Sequence, residues 1–266
     1  MAARILHLSD VHLGRRESFE AVEALPALVA QVRPELLLAT GDLAHRGKPD
    51  QLEEARALLD GVGVPVLAVP GNHDIPYTLP ARFTRTFEAW RAVFGDPEPV
   101  HEAPGLLVVG LSSVRPWRQQ GGALEESQVT RAVERLRAAP EHSLRVVALH
   151  HHLANPPWRA KRKRPLRHRD RVLRALADAG AELVVSGHVH QASAAERREF
   201  EALEGAETRS LVLTSAPGIG RPRPHRQGEA RGVNLYVADE SWLTVTTYAW
   251  DGTALGEVAQ RRFGRR

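Results

Sequence analysis

The chain has 266 residues, a formal net charge of +4 at pH 7 and no cysteine. Without cysteine it has no disulfide framework and no thiolate chemistry, which is compatible with the cytoplasm. A chain of this length can bury a sizeable core as one unit, so we predict a single domain over residues 1–266. No apolar run is long enough to span a bilayer, and the N-terminus enters a strand almost at once, so the expected location is cytoplasmic.

Five apolar runs predict buried strands, and a cluster of polar residues follows each of them. The runs are residues 4–8, 36–39, 64–69, 144–149 and 183–185. Helical patterns lie between them: 19–32, which Pro26 is expected to kink or restart, 49–59 and 81–94, and then Ser127 (a plausible N-cap) to Ala138 and Asp170 to Ala179.

After residue 190 the pattern changes to β. Alternating segments at 209–214, 232–237 and 242–248 predict a second sheet with one exposed face. Residues 217–231 are expected to form a long loop, and residues 261–266 a frayed basic tail.

The polar clusters at the strand ends are rich in hard metal ligands. They are Asp10-Val11-His12, Gly41-Asp42, Gly71-Asn72-His73-Asp74, His150-His151-His152 and Gly187-His188-Val189-His190. Ligands of α/β sheets bind in the crevice outside the carboxyl ends of the strands, so residues far apart in sequence can converge there. The pattern therefore predicts one site that collects all five clusters.

This ordered array resembles the calcineurin-like metallophosphoesterase superfamily. The resemblance implies an α/β fold, a four-layer αββα sandwich of two mixed β-sheets flanked by helices. It also implies two metal ions bridged by Asp42. The first ion would take Asp10, His12, Asp42 and His190, and the second would take Asp42, Asn72, His150 and His188. His73 would stay off the metals, placed to hydrogen-bond a phosphate oxygen or to protonate the leaving group.

The proposed ligands suit phosphate chemistry. Two dications against two carboxylates leave about +2 on the site, which favours an anionic phosphate ester as substrate. Mixed oxygen and imidazole ligands suit divalent or trivalent transition metals such as Mn, Fe and Zn, and they do not choose among them. We therefore predict a dinuclear metal-dependent phosphodiesterase that hydrolyses P–O bonds with a metal-bridging hydroxide.

Not every histidine is expected to bind a metal. Side chains alternate at a strand end, so His150, His151 and His152 cannot all face one ion. The family pattern selects His150, which leaves His151 beside the ligands or facing substrate and His152 as a loop residue. His7 lies inside the first strand and is expected to be a satisfied core histidine.

The segment from Gly41 to Gly47 resembles the Gly-Asp-x-x-Asp-Arg-Gly motif of the Ser/Thr phosphatase branch, in which the Arg contacts phosphate. Here His45 replaces the second Asp, so the carboxylate that would pair with the catalytic His is missing. Arg46 could contact substrate or be an ordinary solvated charge.

Residues 6–12 and 69–74 resemble small bacterial phosphodiesterases related to cyclic-nucleotide phosphodiesterases. In those proteins the sequence His-His-Pro is frequent, whereas this chain has His151-His152-Leu153. The difference affects the expected substrate pocket and not the expected metal site. Alternatives are a hydrolase of a lipid-linked nucleotide pyrophosphate, a nuclease and a non-catalytic scaffold, and the complete ligand set argues against the last.

The basic block 158–169 is expected to form a loop at the mouth of the site, either solvated or holding an anionic group. Nucleic acid is a less favoured partner, because a net charge of +4 is slight.

Overall fold

The computed structural model describes residues 2–14, 19–118, 120–154, 163–199, 211–220 and 230–265. In chain order its strands are β1 (Ala3–Leu8), β2 (Leu36–Ala39), β3 (Val66–Ala68), β4 (Val100–Ala103), β5 (Leu106–Leu111), β6 (Leu144–Leu149), β7 (Leu183–Ser186), β8 (Ser193–Glu196), β9 (Val212–Ser215), β10 (Gly232–Ala238), β11 (Trp242–Trp250) and β12 (Leu255–Gly264). The helices are α1 (Glu20–Glu23), α2 (Leu25–Val32), α3 (Pro49–Asp60), α4 (Ala81–Thr84), α5 (Glu88–Phe94), α6 (Glu126–Ala138) and α7 (Arg169–Asp178).

Within the described residues the strands form two six-stranded sheets. The first has the order β12-β11-β10-β1-β2-β3, and the second has the order β4-β5-β6-β7-β9-β8. The ligand-bearing strands lie within two parallel runs, β1-β2-β3 in the first sheet and β5-β6-β7-β9 in the second. Antiparallel strands complete both sheets, so both are mixed, as predicted.

The two sheets pack face to face, and helices cover their outer faces. Ile5 and Leu36 of the first sheet share a core cluster with Val146 of the second. Their neighbours Leu6 and Leu37 point the other way, into a cluster with α1, α2, α3 and α5. Helices α6 and α7 cover the second sheet in the same way. Strands such as β2 and β5 are apolar without interruption, as expected where both faces of a strand are buried. The predicted four-layer αββα sandwich is confirmed.

The predicted helices form, with differences at their ends. The helix expected over 19–32 restarts as α2 with Pro26 in its first turn, as predicted. The helix expected over 81–94 is divided into α4 and α5. Ser127 is not the N-cap of α6: Glu125 holds that position and forms a capping box with Gln128. Within the described residues, no helix is long and apolar enough to cross a membrane.

The prediction that the late strands form a sheet of their own is wrong. Strand β9 joins the second sheet beside β7, whereas β10 and β11 extend the first sheet beside β1. The frayed tail is also wrong, since residues up to Gly264 pair with β11. There Arg261 forms an ion pair with Glu199, and the guanidinium of Arg262 lies over the Trp242 ring. Part of the expected loop at 217–231, residues 221–229, lies outside the described residues.

Candidate metal centre

The predicted ligands meet in the crevice where strand ends of both sheets converge. Three of the contributing strands belong to the first sheet, β1, β2 and β3, and two belong to the second, β6 and β7. The side chains brought together are Asp10, His12, Asp42, Asn72, His73, His150, His188 and His190. All are buried except His12, which is half-buried.

One group of ligand atoms lies on the side of Asp10. His190 Nε2 is 2.9 Å from Asp10 Oδ1 and 3.4 Å from His12 Nε2. His12 Nε2 is in turn 3.9 Å from Asp42 Oδ2. These atoms belong to the four residues predicted for the first ion, and we call them the first cluster.

The second cluster surrounds His150. Its Nε2 is 3.1 Å from His188 Nδ1, 3.3 Å from Asn72 Oδ1 and 3.4 Å from Asp42 Oδ1. These are the residues predicted for the second ion. Asp42 therefore offers Oδ2 to the first cluster and Oδ1 to the second, which is the arrangement that a bridging carboxylate requires.

The donor atoms fit metal ions. Ligands about 2.0–2.2 Å from one ion lie about 3–3.6 Å from one another, close to the separations within each cluster. The buried Asp10 Oδ1 faces two imidazole nitrogens, His190 Nε2 at 2.9 Å and His12 Nε2 at 3.8 Å. A buried carboxylate is costly unless a cation or hydrogen-bond donors face it. The clusters of histidine and aspartate are consistent with a dinuclear metal site.

Backbone groups orient the donors. His150 Nδ1 donates to the carbonyl of Thr40 at 2.7 Å, which leaves Nε2 as the nitrogen that faces the cluster. Asp10 Oδ2 accepts the amide of His188 at 2.9 Å. Asp74 accepts two amides, those of Gly71 and Ala44, at 2.8 and 2.7 Å, and so fixes the loop that carries Asn72 and His73.

The backbone at the site is strained. Asp10, His12, Asp42, His188 and His190 have φ of 58°, 56°, 53°, 69° and 56°. Among the described residues only two other non-glycine residues have positive φ. A left-handed conformation costs an L-residue about 1–2 kcal/mol, and such strain concentrates at functional sites.

Two glycines allow the loops that carry the ligands to approach one another closely. A Cβ on Gly71 would lie 2.3 Å from Asp42 Oδ1, and one on Gly187 would lie 1.8 Å from Ser9 Oγ. Both contacts are too close for any side chain, so glycine is required for these loops to meet.

Burial and charge set the ionisation of the donors. Burial lowers the pKa of His12 and His188 well below the usual value, so both are neutral and can act as ligands. Burial acts against ionised Asp42, but His150 and His73 beside it hold its pKa well below the usual range. Burial also acts against protonated His150, yet Asp42 raises its pKa to about 9. The ionised Asp42 therefore favours a positive charge beside it.

His73 lies beside the clusters with its own partners. Its Nδ1 donates to the carbonyl of His45 at 2.9 Å, and the Tyr77 hydroxyl lies 2.8 Å from Nδ1 and 3.3 Å from Nε2. Its ring makes an edge contact with His12, at 4.9 Å between centroids. Tyr77 could not be found from the motifs, because it lies outside all five.

All three histidines that follow β6 are buried, including His152, which was expected only to be a loop residue. The His152 ring stacks on His188 at 5.9 Å. His151 Nδ1 is 2.9 Å from Ser113 Oγ, and its ring is 4.6 Å from that of His188. His151 therefore lies beside the second cluster, one of the two positions expected for it.

The basic block is only partly described, since residues 158–162 lie outside the described residues. The buried ammonium of Lys163 donates to the carbonyl of His188. The block therefore reaches the second cluster through Lys163, a contact that no motif indicated.

Arg46 is exposed, and its backbone amide donates to Gln51 Oε1. His7 is a core histidine, as predicted, with Tyr236 and Thr40 hydroxyls at 2.8 Å.

Comparison with known proteins finds similar bacterial proteins. Over 255 residues the chain is 29% identical to a probable cyclic nucleotide phosphodiesterase of Rhodococcus erythropolis, covering 89% of this chain and 80% of the relative. It is also 29% identical to a cAMP/cGMP dual specificity phosphodiesterase of Mycobacterium tuberculosis, covering 84% and 73% of the two chains.

The fold is that of solved phosphatases. The structure superposes on a purple acid phosphatase from yellow lupin with a TM-score of 0.74 at 12% identity, covering 100% of this chain and 54% of the lupin chain. At that identity the likeness concerns the fold alone. Residues 3–192 match the family model of the calcineurin-like phosphoesterases. The chain belongs to the calcineurin-like phosphoesterase family, whose members are hydrolases of phosphate esters.

Proposed function

We propose that this protein is a dinuclear metal-dependent phosphodiesterase that hydrolyses small diesters, with cyclic nucleotides as the leading substrate class. The observation that carries the proposal is the position of Asp42, whose two carboxylate oxygens each face a separate group of nitrogen and oxygen donors. One carboxylate shared by two donor groups suits a two-metal site for phosphoryl chemistry.

In this proposal Asp10, His12, Asp42 and His190 hold the first ion, and Asp42, Asn72, His150 and His188 hold the second. When bound, the two ions supply Lewis-acid stabilisation of the phosphate and a water of lowered pKa. Mixed nitrogen and oxygen donors favour Mn, Fe, Zn or a similar ion. The site then keeps about +2, which suits an anionic diester.

The chain supplies acid catalysis through His73. Because the His45 carbonyl accepts the proton on Nδ1, a second proton would sit on Nε2. Water attacks phosphorus and releases one proton to solvent, the P–O bond to the alcohol breaks on the opposite side, and the departing oxygen takes the Nε2 proton, which His73 then regains from solvent. The Tyr77 hydroxyl, 3.3 Å from Nε2, can hydrogen-bond that nitrogen before and after transfer.

The substrate class rests on the relatives. Two of them are described as cyclic nucleotide phosphodiesterases, and the matches cover most of both chains. We extend that class to this chain as a proposal, together with the expectation of one domain over residues 1–266 and a cytoplasmic location.

Hydrolysis of a substrate panel by Mn-loaded protein tests the proposal. The panel contains cyclic AMP, a glycerophosphodiester, a nucleotide-diphosphate lipid, single-stranded DNA and a phosphomonoester. We expect preference for cyclic AMP. Preference for the lipid or for DNA would replace the substrate class with one of the alternatives. If protein that binds metal stoichiometrically released no product even from bis(p-nitrophenyl) phosphate, the proposal of catalysis itself would be wrong.

A further inference from the structure

A third group of imidazoles lies next to the two clusters. One ring nitrogen from each of His12, His45 and His73 lies within 4.8 Å of one nitrogen from each of the others. His12 belongs to the first cluster, whereas His45 and His73 belong to neither. His45 is the residue that replaces the expected second Asp of its motif.

His73 is oriented in the way that metal-binding histidines usually are. Such residues donate one ring N–H to a carbonyl or carboxylate, which aims the other nitrogen at the ion. His73 Nδ1 donates to the His45 carbonyl at 2.9 Å, and His150 Nδ1 in the second cluster donates to the Thr40 carbonyl at 2.7 Å. The same device therefore serves a residue of the second cluster and a residue outside both clusters.

His45 brings a second imidazole to His73. The two rings are nearly parallel, at 20° with 5.7 Å between centroids, and the His45 side chain is half-buried. His12 differs, because a neutral imidazole has one acceptor nitrogen and the Nε2 of His12 already faces the first cluster.

We propose that His45 and His73 form a third metal site, for a borderline ion such as Zn²⁺. Only two protein ligands hold the ion, and the neighbouring dinuclear site is positive. Both features make it weaker than the other two positions, so it fills only when metal is in excess. Occupation would hold His73 Nε2 on the ion and withdraw it from proton donation. The inhibitory consequence rests on the proposed function, and the binding itself does not.

Metal stoichiometry tests the site without any enzyme assay. Tag-free wild-type protein is equilibrated with increasing Zn²⁺ and analysed for bound metal after rapid gel filtration. We expect two tightly held ions and a weaker third. His45→Ala and His73→Asn should each keep the two tight ions and lose the third. His142→Ala, at an exposed histidine after α6, is the matched control and should bind the third ion like wild type.

Retention of the two tight ions shows that a variant is folded, so a missing third ion cannot be attributed to unfolding. His45→Gln, which is closer in size to histidine, provides a second test of the same position. A third ion that persists in both His45 variants would overturn the proposal, and so would a wild type that never binds more than two.

Activity gives a second readout. Because proton donation contributes about 10²–10⁴-fold to catalysis, excess Zn²⁺ should lower wild-type hydrolysis of an alkyl diester about a hundredfold. His45→Ala, relative to its own activity at low Zn²⁺, should lose most of that inhibition. If no variant hydrolyses any diester, the proposed function fails while the stoichiometry still decides the third site. Equal inhibition of wild type and His45→Ala would contradict the inhibitory role of the third site.

Discussion

The two clusters that share Asp42 differ in charge and in burial. The first contains a carboxylate of its own, Asp10, and its His12 is half-buried. The second has no carboxylate except that of Asp42; its Asn72, His150 and His188 are fully buried, and the ammonium of Lys163 lies against the His188 carbonyl. The first position should therefore hold its ion more by charge, and the second more by buried neutral donors.

The difference predicts that the two positions prefer different ions. Each position has two imidazoles, and the difference is that the first has the carboxylate of Asp10 where the second has the amide of Asn72, so the first should favour a hard ion such as Mn²⁺ more strongly than the second. The difference also predicts that the second ion is lost first when metal is scarce, because its ligands provide less negative charge. Variants at five residues test how far the two positions are independent.

Asp42→Asn should have the largest effect, because it removes the one charge that both clusters share. We expect both ions to be depleted and activity to fall about a thousandfold or more, since Lewis-acid stabilisation is worth several kcal/mol. Elemental analysis of the purified variant measures the loss. Asp60→Asn, an exposed aspartate on α3, is the control. Loss of only one ion would show that Asp42 does not bridge.

His73→Ala should keep both ions and slow turnover by about 10²–10⁴-fold for alkyl leaving groups. The effect should shrink toward nothing for bis(p-nitrophenyl) phosphate, because p-nitrophenolate leaves without a proton. Rates on the two substrates, with metal content measured in parallel, decide the matter. An equal loss on both substrates would argue against His73 as the proton donor.

Asp10→Asn and Asn72→Ala compare the two positions directly. Asp10→Asn should lower the affinity for the first ion by more than about 10- to 100-fold. That range is typical of substitutions at residues that only orient a metal ligand. Asn72→Ala removes a neutral donor and should weaken the second ion within that range. Competition against a chelator gives both affinities. If Asp10→Asn lost less affinity for the first ion than Asn72→Ala lost for the second, the ranking by charge would be wrong.

Lys163→Met should have the smallest effect, and in the opposite direction. Removing a cation beside the second cluster should tighten the second ion about threefold to tenfold, because a nearby unit charge is worth about 1 kcal/mol after screening. The same chelator competition measures the change. Lys48→Met, at an exposed lysine, should leave the affinity unchanged. A weaker second ion in Lys163→Met would show that the contact with the His188 carbonyl matters more than the repulsion.

The features that could be predicted from the sequence are those that a short local pattern determines. Strands such as β1 and β6 are apolar runs that end in metal ligands, and the convergence of their ends follows from parallel sheets. Strand β5 is equally apolar, yet it ends in no ligand, and β12 is exposed along most of its length, so neither was found. Which sheet each late strand joins depends on pairing between distant residues, which periodicity does not contain.

The same limit applies within the site. The motifs indicated which residues would meet, because each motif is local. They could not indicate that Tyr77 contacts His73, that Lys163 reaches His188 or that His152 is buried against it. The Lys163 and His152 contacts join residues that only the tertiary fold brings together, whereas Tyr77 lies four residues from His73 and its contact depends on the conformation of the chain between them.

An anomalous-scattering crystal structure of the Mn-loaded protein would test whether Asp42 bridges two ions. We predict two peaks about 3.5–4 Å apart, one on each side of the Asp42 carboxylate, with His73 bound to neither. A single peak, or two peaks of which only one contacts Asp42, would contradict the bridging role.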